Sequence, residues 1–121
     1  MNLIGENITY KPDDQFHLND VSFNFKKGNL YTILGRTLSG KTTFLKTIAG
    51  LLNPDSGNLS FEDNDFIKIP VWERNVAMVY QQFINYPHLN VYENIIFPLK
   101  QRKIGEDQIK KDVEEALKTV G

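Results

Sequence analysis

The stretch LGRTLSGKTTF, Leu34–Phe44, decides the fold, because it carries the pattern G-x-x-x-x-G-K-[ST] in full. Gly35 and Gly40 hold the two glycine positions, and Lys41 and Thr42 complete the motif. Glycines at these positions allow a tight turn in which backbone N–H groups surround an anion at the N-terminus of a helix. The motif therefore predicts a loop that holds phosphate groups. The alternative, a plain glycine turn with a solvated lysine, leaves the Lys-Thr pair without a reason.

The segments on both sides of this loop have the periodicity that such a loop requires. LYTIL, Leu30–Leu34, is almost continuously apolar and rich in β-formers, as expected for a strand buried on both faces of a parallel sheet. After the loop, apolar residues recur at helical spacing and predict a helix, which the turn sequence NPDSG, Asn53–Gly57, ends. The apolar residues of this helix are Phe44, Leu45, Ile48, Leu51 and Leu52. The order of strand, loop and helix thus supports phosphate binding.

Every residue of the loop is a predicted nucleotide contact. The set is Gly35, Arg36, Thr37, Leu38, Ser39, Gly40, Lys41, Thr42 and Thr43. We expect Lys41 to reach the β- and γ-phosphates and the Thr42 hydroxyl to bind Mg²⁺. The expected ligands are therefore a nucleoside triphosphate and Mg²⁺.

The remaining elements predict an α/β fold. ENITY and VSFNF alternate apolar and polar residues as half-buried strands do, and NLSFEDND reads as a strand and a turn. VAMVYQ, Val76–Gln81, is predicted to be a second buried strand. Asn90 and Glu93 have the spacing of a capping box at a helix start. An amphipathic helix follows, whose apolar face comprises Ile109, Val113, Ala116, Leu117 and Val120. We expect a parallel sheet around the loop, flanked by an antiparallel β portion.

Composition excludes several classes of function. The chain has 121 residues, 40% of them hydrophobic and 24% charged, which suits one small globular domain. A formal net charge of −1 offers no basic stripe, so no nucleic-acid partner is expected. The absence of cysteine excludes disulfides and thiolate chemistry, and no run is long and apolar enough for a membrane span.

His17 and His88 are isolated in the sequence and make a weak case for a metal site. The basic run Lys100–Lys103 is read as a solvated helix end rather than as a contact with anionic lipid.

Two longer stretches resemble the ATP-binding subunits of ABC transporters. LNDVSFNFKKGNLYTILGRTLSGKTTFLKTIAGLLNPDSG is similar to the family's phosphate-loop segment, and RNVAMVYQQFINYPHLNVYENI is similar to the stretch with its Q-loop glutamine. The resemblance covers essentially the whole chain. It implies the P-loop NTPase core of an ABC nucleotide-binding domain, incomplete, with a β-rich core at residues 1–87 and the start of a helical subdomain at 88–121.

The resemblance also implies site residues. Gln81 matches the Q-loop glutamine, and Gln82 is the less favoured alternative. This glutamine would bind Mg²⁺ and help orient a water near the γ-phosphate of ATP. Lys41 would assist the chemistry. The family's adenine-stacking aromatic has no counterpart at the expected place near Pro12, so Tyr10 or Phe16 would serve, and Tyr10 reads equally well as a core residue. Arg36 stands where the family more often has proline.

The implied partners are transmembrane permease subunits, reached through the Q-loop and the helical subdomain, and a second ATP-binding subunit in a homodimer or heterodimer. The protein would lie peripherally on the cytoplasmic face of the cell membrane, and its loop sequence is most similar to importers of carbohydrates or glycerol-type solutes.

Four features of the family do not occur in the chain: the LSGGQ signature, the Walker B aspartate, the catalytic glutamate and the switch histidine. We therefore expect an N-terminal fragment of an ABC-type ATPase that is inactive alone.

Three other hypotheses remain open. The chain could be a nucleotide-binding module without turnover, or part of a soluble ABC protein that acts on ribosomes or DNA. A P-loop kinase or GTPase is the least favoured, because it leaves VYQQFINYPHLNVYENI unexplained.

Overall fold

The computed structural model describes residues 2–121 as two compact units. The first unit extends up to Val79, and the second comprises Tyr80–Gly121. The first unit contains an antiparallel sheet and the helix that follows the phosphate loop, whereas the second unit contains two helices. Each unit has its own cluster of buried apolar side chains.

The sheet of the first unit has four antiparallel strands in the order β2-β1-β3-β4. Their bounds are β1 Asn2–Tyr10, β2 Leu18–Lys26, β3 Ser56–Phe61 and β4 Asn64–Asp65. The central strand β1 pairs with β2 on one side and with β3 on the other, with Leu3 opposite both Phe25 and Phe61. The strands predicted from ENITY, VSFNF and NLSFED are therefore confirmed, and so is the antiparallel β portion.

Helix α1, Lys41–Ala49, follows the phosphate loop and packs on this sheet through Phe44. The Phe44 ring makes edge contacts with Phe23, 4.9 Å between centroids, and with Phe25, 6.1 Å. Ile8 and Leu59 of the two central strands are each only 1% exposed in the same cluster. The sheet and α1 thus share one core, which holds the phosphate loop at its edge.

Helix α1 ends earlier than its apolar spacing predicts. Gly50 adopts a left-handed conformation, with φ of 85°, directly after Ala49. The Leu51 N–H donates to the Lys46 carbonyl at 2.9 Å and the Gly50 N–H to the Thr47 carbonyl, which is the bonding of a glycine-terminated helix. Leu51 and Leu52 therefore lie beyond the helix, because the glycine turns the chain before them.

The two predicted parallel strands do not form among the described residues. Leu30–Leu34 and Val76–Tyr80 have no strand pairing, and Leu30, Leu34 and Val79 are 95%, 89% and 96% exposed. A parallel strand depends on hydrogen-bonded neighbours and on cover over both faces, and β propensity alone does not supply these. The sequence prediction was wrong on this point because these two segments have no strand partner within residues 2–121.

The second unit is a pair of helices, α2 Val91–Gln101 and α3 Glu106–Val120. The predicted capping box begins α2: the Glu93 N–H donates to Asn90 Oδ1 at 2.7 Å, and the Asn90 N–H donates to Glu93 Oε2 at 2.9 Å. Ile96 of α2 packs against Ile109 and Val113 of α3, which confirms the N-terminal part of the predicted apolar face. Val120, at the other end of that face, is 80% exposed. None of the helices within residues 2–121 has the length and apolarity needed to cross a membrane.

Candidate nucleotide-binding site

Gly40 closes the phosphate loop at the start of α1, and its position tolerates no side chain. Its φ of 97° lies in the region that favours glycine. A Cβ placed on Gly40 would approach the backbone carbonyl oxygen of His17 to 2.2 Å. The loop therefore lies directly against the backbone at the start of β2, and the glycine of the motif is a requirement of packing as well as of conformation.

The Lys41 ammonium lies over the loop from the first turn of α1. Its Nζ donates to the Gly35 carbonyl at 2.5 Å and to the Arg36 carbonyl at 2.6 Å, and lies 3.3 Å from Ser39 Oγ. These contacts engage all three ammonium donors. The loop therefore places a positive charge at its own centre.

The loop is also closely packed at Gly35, the first glycine of the motif. A Cβ on Gly35 would meet Ser39 Oγ at 2.6 Å, and the Ser39 N–H donates to the Arg36 carbonyl at 3.1 Å. No acidic residue lies in the first turn of α1, so nothing offsets the positive end of the helix there. A tight backbone turn, a central ammonium and a helix N-terminus together fit the phosphate groups of a nucleotide.

The threonines after Lys41 differ in exposure. Thr42 is exposed in the first turn of α1, which leaves its hydroxyl available to a metal ion. Thr43 is half-buried, and its carbonyl accepts a hydrogen bond from the buried Thr47 hydroxyl at 2.9 Å. Among residues 2–121 no group of three or more histidine, cysteine or acidic side chains is placed so that it could hold a metal ion.

Leu38 is strained at the tip of the loop. It has a φ of 67° and a fully exposed side chain, so its apolar contacts do not offset the cost of a left-handed conformation. We expect Leu38→Gly to raise the free energy of unfolding by about 1 kcal/mol, because the gain in backbone conformation exceeds the added freedom of the unfolded chain. Urea denaturation followed by circular dichroism measures the change.

The control for this prediction is Leu45→Gly, at a half-exposed leucine with helical backbone in α1. There glycine has no strain to relieve, and we expect it to destabilise the chain by about 1 kcal/mol. If Leu38→Gly destabilises the chain as much as Leu45→Gly does, Leu38 is not strained.

Tyr10 and Phe16, the candidates for adenine stacking, lie at the two ends of the turn between β1 and β2. Tyr10 is half-buried and packs against the core cluster, and its ring meets that of His17 edge to face at 5.8 Å. Phe16 is 52% exposed, with Lys11 Nζ 4.9 Å from its ring centroid. Tyr10 thus contributes to the core of the first unit, while base stacking by either aromatic stays a prediction. His17 Nε2 lies 3.7 Å from Asp13.

Gln81 belongs to the second unit, where it is exposed at a bend together with Gln82. The segment before it, predicted to be a buried strand, has no strand pairing among the described residues. Its assignment as a Mg²⁺ ligand and catalytic residue stays a prediction from the resemblance.

Asn94, which the sequence does not mark, organises the loop after Gln81. Its Oδ1 accepts the Tyr86 N–H at 2.8 Å, and its Nδ2 donates to the carbonyls of Tyr86, Leu89 and Asn90 at 3.2, 3.1 and 2.8 Å. One amide side chain therefore folds the loop onto the first turn of α2.

Arg74 was also missed by the sequence analysis. It is 7% exposed, and burial lowers the pKa of its guanidinium below the ordinary value. Its nitrogens donate to the carbonyls of Ile67, Ile69, Thr47 and Ile48 at 2.8–3.2 Å. No composition or spacing signal distinguishes this arginine from a surface one.

These features define a P-loop nucleotide-binding domain, and comparison with known proteins supports that class. An ATP-binding cassette solved as a dimer in a post-hydrolysis state, bound to ADP and Pi, superposes with a TM-score of 0.80 at 27% identity, over 96% of this chain and 56% of that chain. A nucleotide-free cassette from an ABC transporter gives a TM-score of 0.55 at 34% identity, over 58% of this chain and 28% of that chain. The predicted fold class is confirmed.

Sequence comparison identifies the family of this chain. Residues 18–121 match the ABC transporter family, and the chain belongs to it. The spermidine/putrescine import ATP-binding protein PotA of Acetivibrio thermocellus is 43% identical over 95% of this chain and 33% of its own length. The protein of the same name from Fusobacterium nucleatum is 36% identical over all of this chain and 32% of its own length. The chain thus spans about a third of the curated relatives it matches.

Proposed function

We propose that this chain binds Mg-ATP as part of the ATP-binding subunit of an ABC importer. The observation that carries the proposal is the Lys41 ammonium, held over the loop by the Gly35 and Arg36 carbonyls at the N-terminus of α1. In this role the loop N–H groups and Lys41 bind the phosphates, and the Thr42 hydroxyl binds Mg²⁺, which neutralises charge on the phosphate oxygens. The full-length protein would hydrolyse ATP.

We propose polyamines as the transported solute class. The relatives cited above are named as spermidine/putrescine import proteins, and this favours polyamines over the carbohydrate or glycerol-type solutes inferred from the loop sequence. In either case the ATP-binding chain would drive transport without touching the solute.

The partners in this proposal are permease subunits and a second ATP-binding subunit. The second unit, with α2, α3 and the loop clamped by Asn94, would serve as the start of the helical subdomain that meets the permease. Gln81 lies just before that loop and would report the nucleotide state to it. The protein would then lie peripherally on the cytoplasmic face of the membrane.

The Mg²⁺ ligand provides the test of this function. We expect Thr42→Val to bind ATP equally well with and without Mg²⁺, whereas the unchanged chain binds it about tenfold more tightly with Mg²⁺, because valine keeps the shape of threonine without its oxygen. Isothermal titration calorimetry in Mg²⁺ and in EDTA measures both affinities.

Thr119→Val is the matched control, because that hydroxyl is bonded within α3 to the Glu115 carbonyl, outside the phosphate loop. It should keep the full response to Mg²⁺. Failure of the unchanged chain to bind ATP would reject the proposed function, and an undiminished response to Mg²⁺ in Thr42→Val would reject Thr42 as the metal ligand.

A further inference from the structure

Arg74 is a buried cation whose partners are all backbone carbonyls. Its Nε donates to Ile69 O at 2.8 Å and its Nη2 to Ile67 O at 3.1 Å, while Nη1 reaches Thr47 O and Ile48 O at 3.2 Å each. Within residues 2–121 it forms no ion pair with an acid. The guanidinium also stacks on Phe66, with its central carbon 4.9 Å from the ring centroid. A planar group bonded in several directions fixes the segments around it.

Two of these carbonyls belong to the last turn of α1. The carbonyls at a helix C-terminus have no partner within the helix, and the negative end of the helix dipole attracts a cation there. A Cβ on Gly50 would lie 2.8 Å from Arg74 Cζ, so the guanidinium sits directly against the glycine that ends the helix. Arg74 therefore joins the end of α1 to the segment Ile67–Arg74.

Helix α1 is held by buried side chains in both of its turns and by Arg74 at its C-terminal end. It is nine residues long, about 13 Å, and it carries the phosphate loop at its start. Phe44 anchors the first turn in the core, and Arg74 anchors the last turn. Ile48 and the buried Ala49 also hold the last turn by apolar contacts, which are non-directional, whereas the Arg74 hydrogen bonds fix where its carbonyls lie. Loss of these bonds would therefore let the end of so short a helix shift within its packing.

We propose that Arg74 is a positioning residue for the phosphate loop, fixing the C-terminal end of α1 so that nucleotide affinity at its N-terminal end depends on Arg74. The inference rests on the proposed function. The nucleotide and the segment Ile67–Arg74 are then coupled through α1. Trp72, the only tryptophan in the sequence, lies in the 3-10 turn Val71–Glu73 next to Arg74 with its side chain 81% exposed, so we expect its emission to change if that segment moves.

The test compares Arg74→Lys with Lys46→Met. Lysine keeps the charge but lacks the planar fork that reaches carbonyls on two segments. Lys46 is the cation in the last turn of α1 itself, so Lys46→Met removes charge from the same helix end and leaves the Arg74 bonds in place. We expect Arg74→Lys to weaken Mg-ATP binding about tenfold. Lys46→Met should stay within about twofold of the unchanged chain.

A second measurement separates positioning from stability. Saturating Mg-ATP should shift Trp72 emission in the unchanged chain and in Lys46→Met, and it should leave emission unchanged in Arg74→Lys even when the site is full. A residue that only stabilises the fold would lower the melting temperature without abolishing this response at saturation.

Three results would overturn the inference: equal affinity and Trp72 response in Arg74→Lys and the unchanged chain, an equal loss in Lys46→Met, or no Trp72 response to bound nucleotide in the unchanged chain. The last result needs no variant, so it applies even if Arg74→Lys does not fold. In each of these cases the unchanged chain still binds Mg-ATP, and the proposed function stands. If the unchanged chain binds no nucleotide, both fail.

Discussion

Replacing Gly40 with alanine is expected to lower the free energy of unfolding of the first unit by about 3 kcal/mol or more. Two costs add at this position. A non-glycine residue at φ of 97° is strained, and its Cβ would approach His17 O to 2.2 Å. The colliding atom belongs to backbone beside the core residue Leu18, so it does not move aside as a flexible side chain would. Thermal and urea unfolding followed by circular dichroism measure the loss.

Gly28→Ala is the matched control for Gly40→Ala. Gly28 also has a positive φ, 82°, but a Cβ there meets nothing within 4 Å. Gly28→Ala should therefore lower the free energy of unfolding only by the conformational strain, about 1 kcal/mol. Equal losses in the two variants would show that the contact with His17 is unimportant and that strain alone fixes glycine in the loop.

Replacing Lys41 with methionine is expected to weaken ATP binding about a hundredfold or more, since charge-assisted hydrogen bonds to phosphate contribute roughly 3 kcal/mol. Methionine keeps most of the side-chain length and removes the charge. The effect on folding should be small, less than about 1 kcal/mol, because the Lys41 contacts with Gly35, Arg36 and Ser39 are solvent-exposed. Calorimetric titration with Mg-ATP, together with a melting curve, measures both quantities.

Lys46→Met controls for the removal of a positive charge from α1, because Lys46 lies on the same helix but in its last turn. Its ATP affinity should stay within about twofold of the unchanged chain. An affinity of Lys41→Met within threefold of that of the unchanged chain would contradict the assignment of Lys41 as the phosphate contact.

The features that the sequence predicted are those with local causes. The capping box of α2 is defined within four residues, as the Asn90 and Glu93 bonds show, and the start of α1 directly after Gly40 is equally local. The alternating strands were also predictable, because one face of each must be buried whichever strand lies beside it. Gly50 was the local signal missed: it stands inside the apolar pattern, before Leu51, and a glycine in a left-handed conformation ends the helix there.

The features that the sequence did not predict depend on distant partners. Leu30–Leu34 has the composition of a buried strand, but strand formation requires a neighbour that the segment itself does not encode. Arg74 bonds the Thr47 carbonyl across 27 residues, and an isolated arginine has no pattern that indicates such a contact. In the same way, the contact of Gly40 with His17 joins the loop to β2 and follows only from the folded packing.

The pairing of β1 with β3 affects how quickly the molecule assembles. Leu3 lies opposite Phe61, so this ladder closes a long stretch of chain that includes the phosphate loop and α1. Closing a long loop costs more entropy than closing a short one, and nonlocal pairing slows folding. The helix pair of the second unit needs only the short turn between Gln101 and Glu106. We therefore expect the pairing of β1 with β3 to be the slow step when the whole chain refolds, and the helix pair to form before the phosphate loop is held in place.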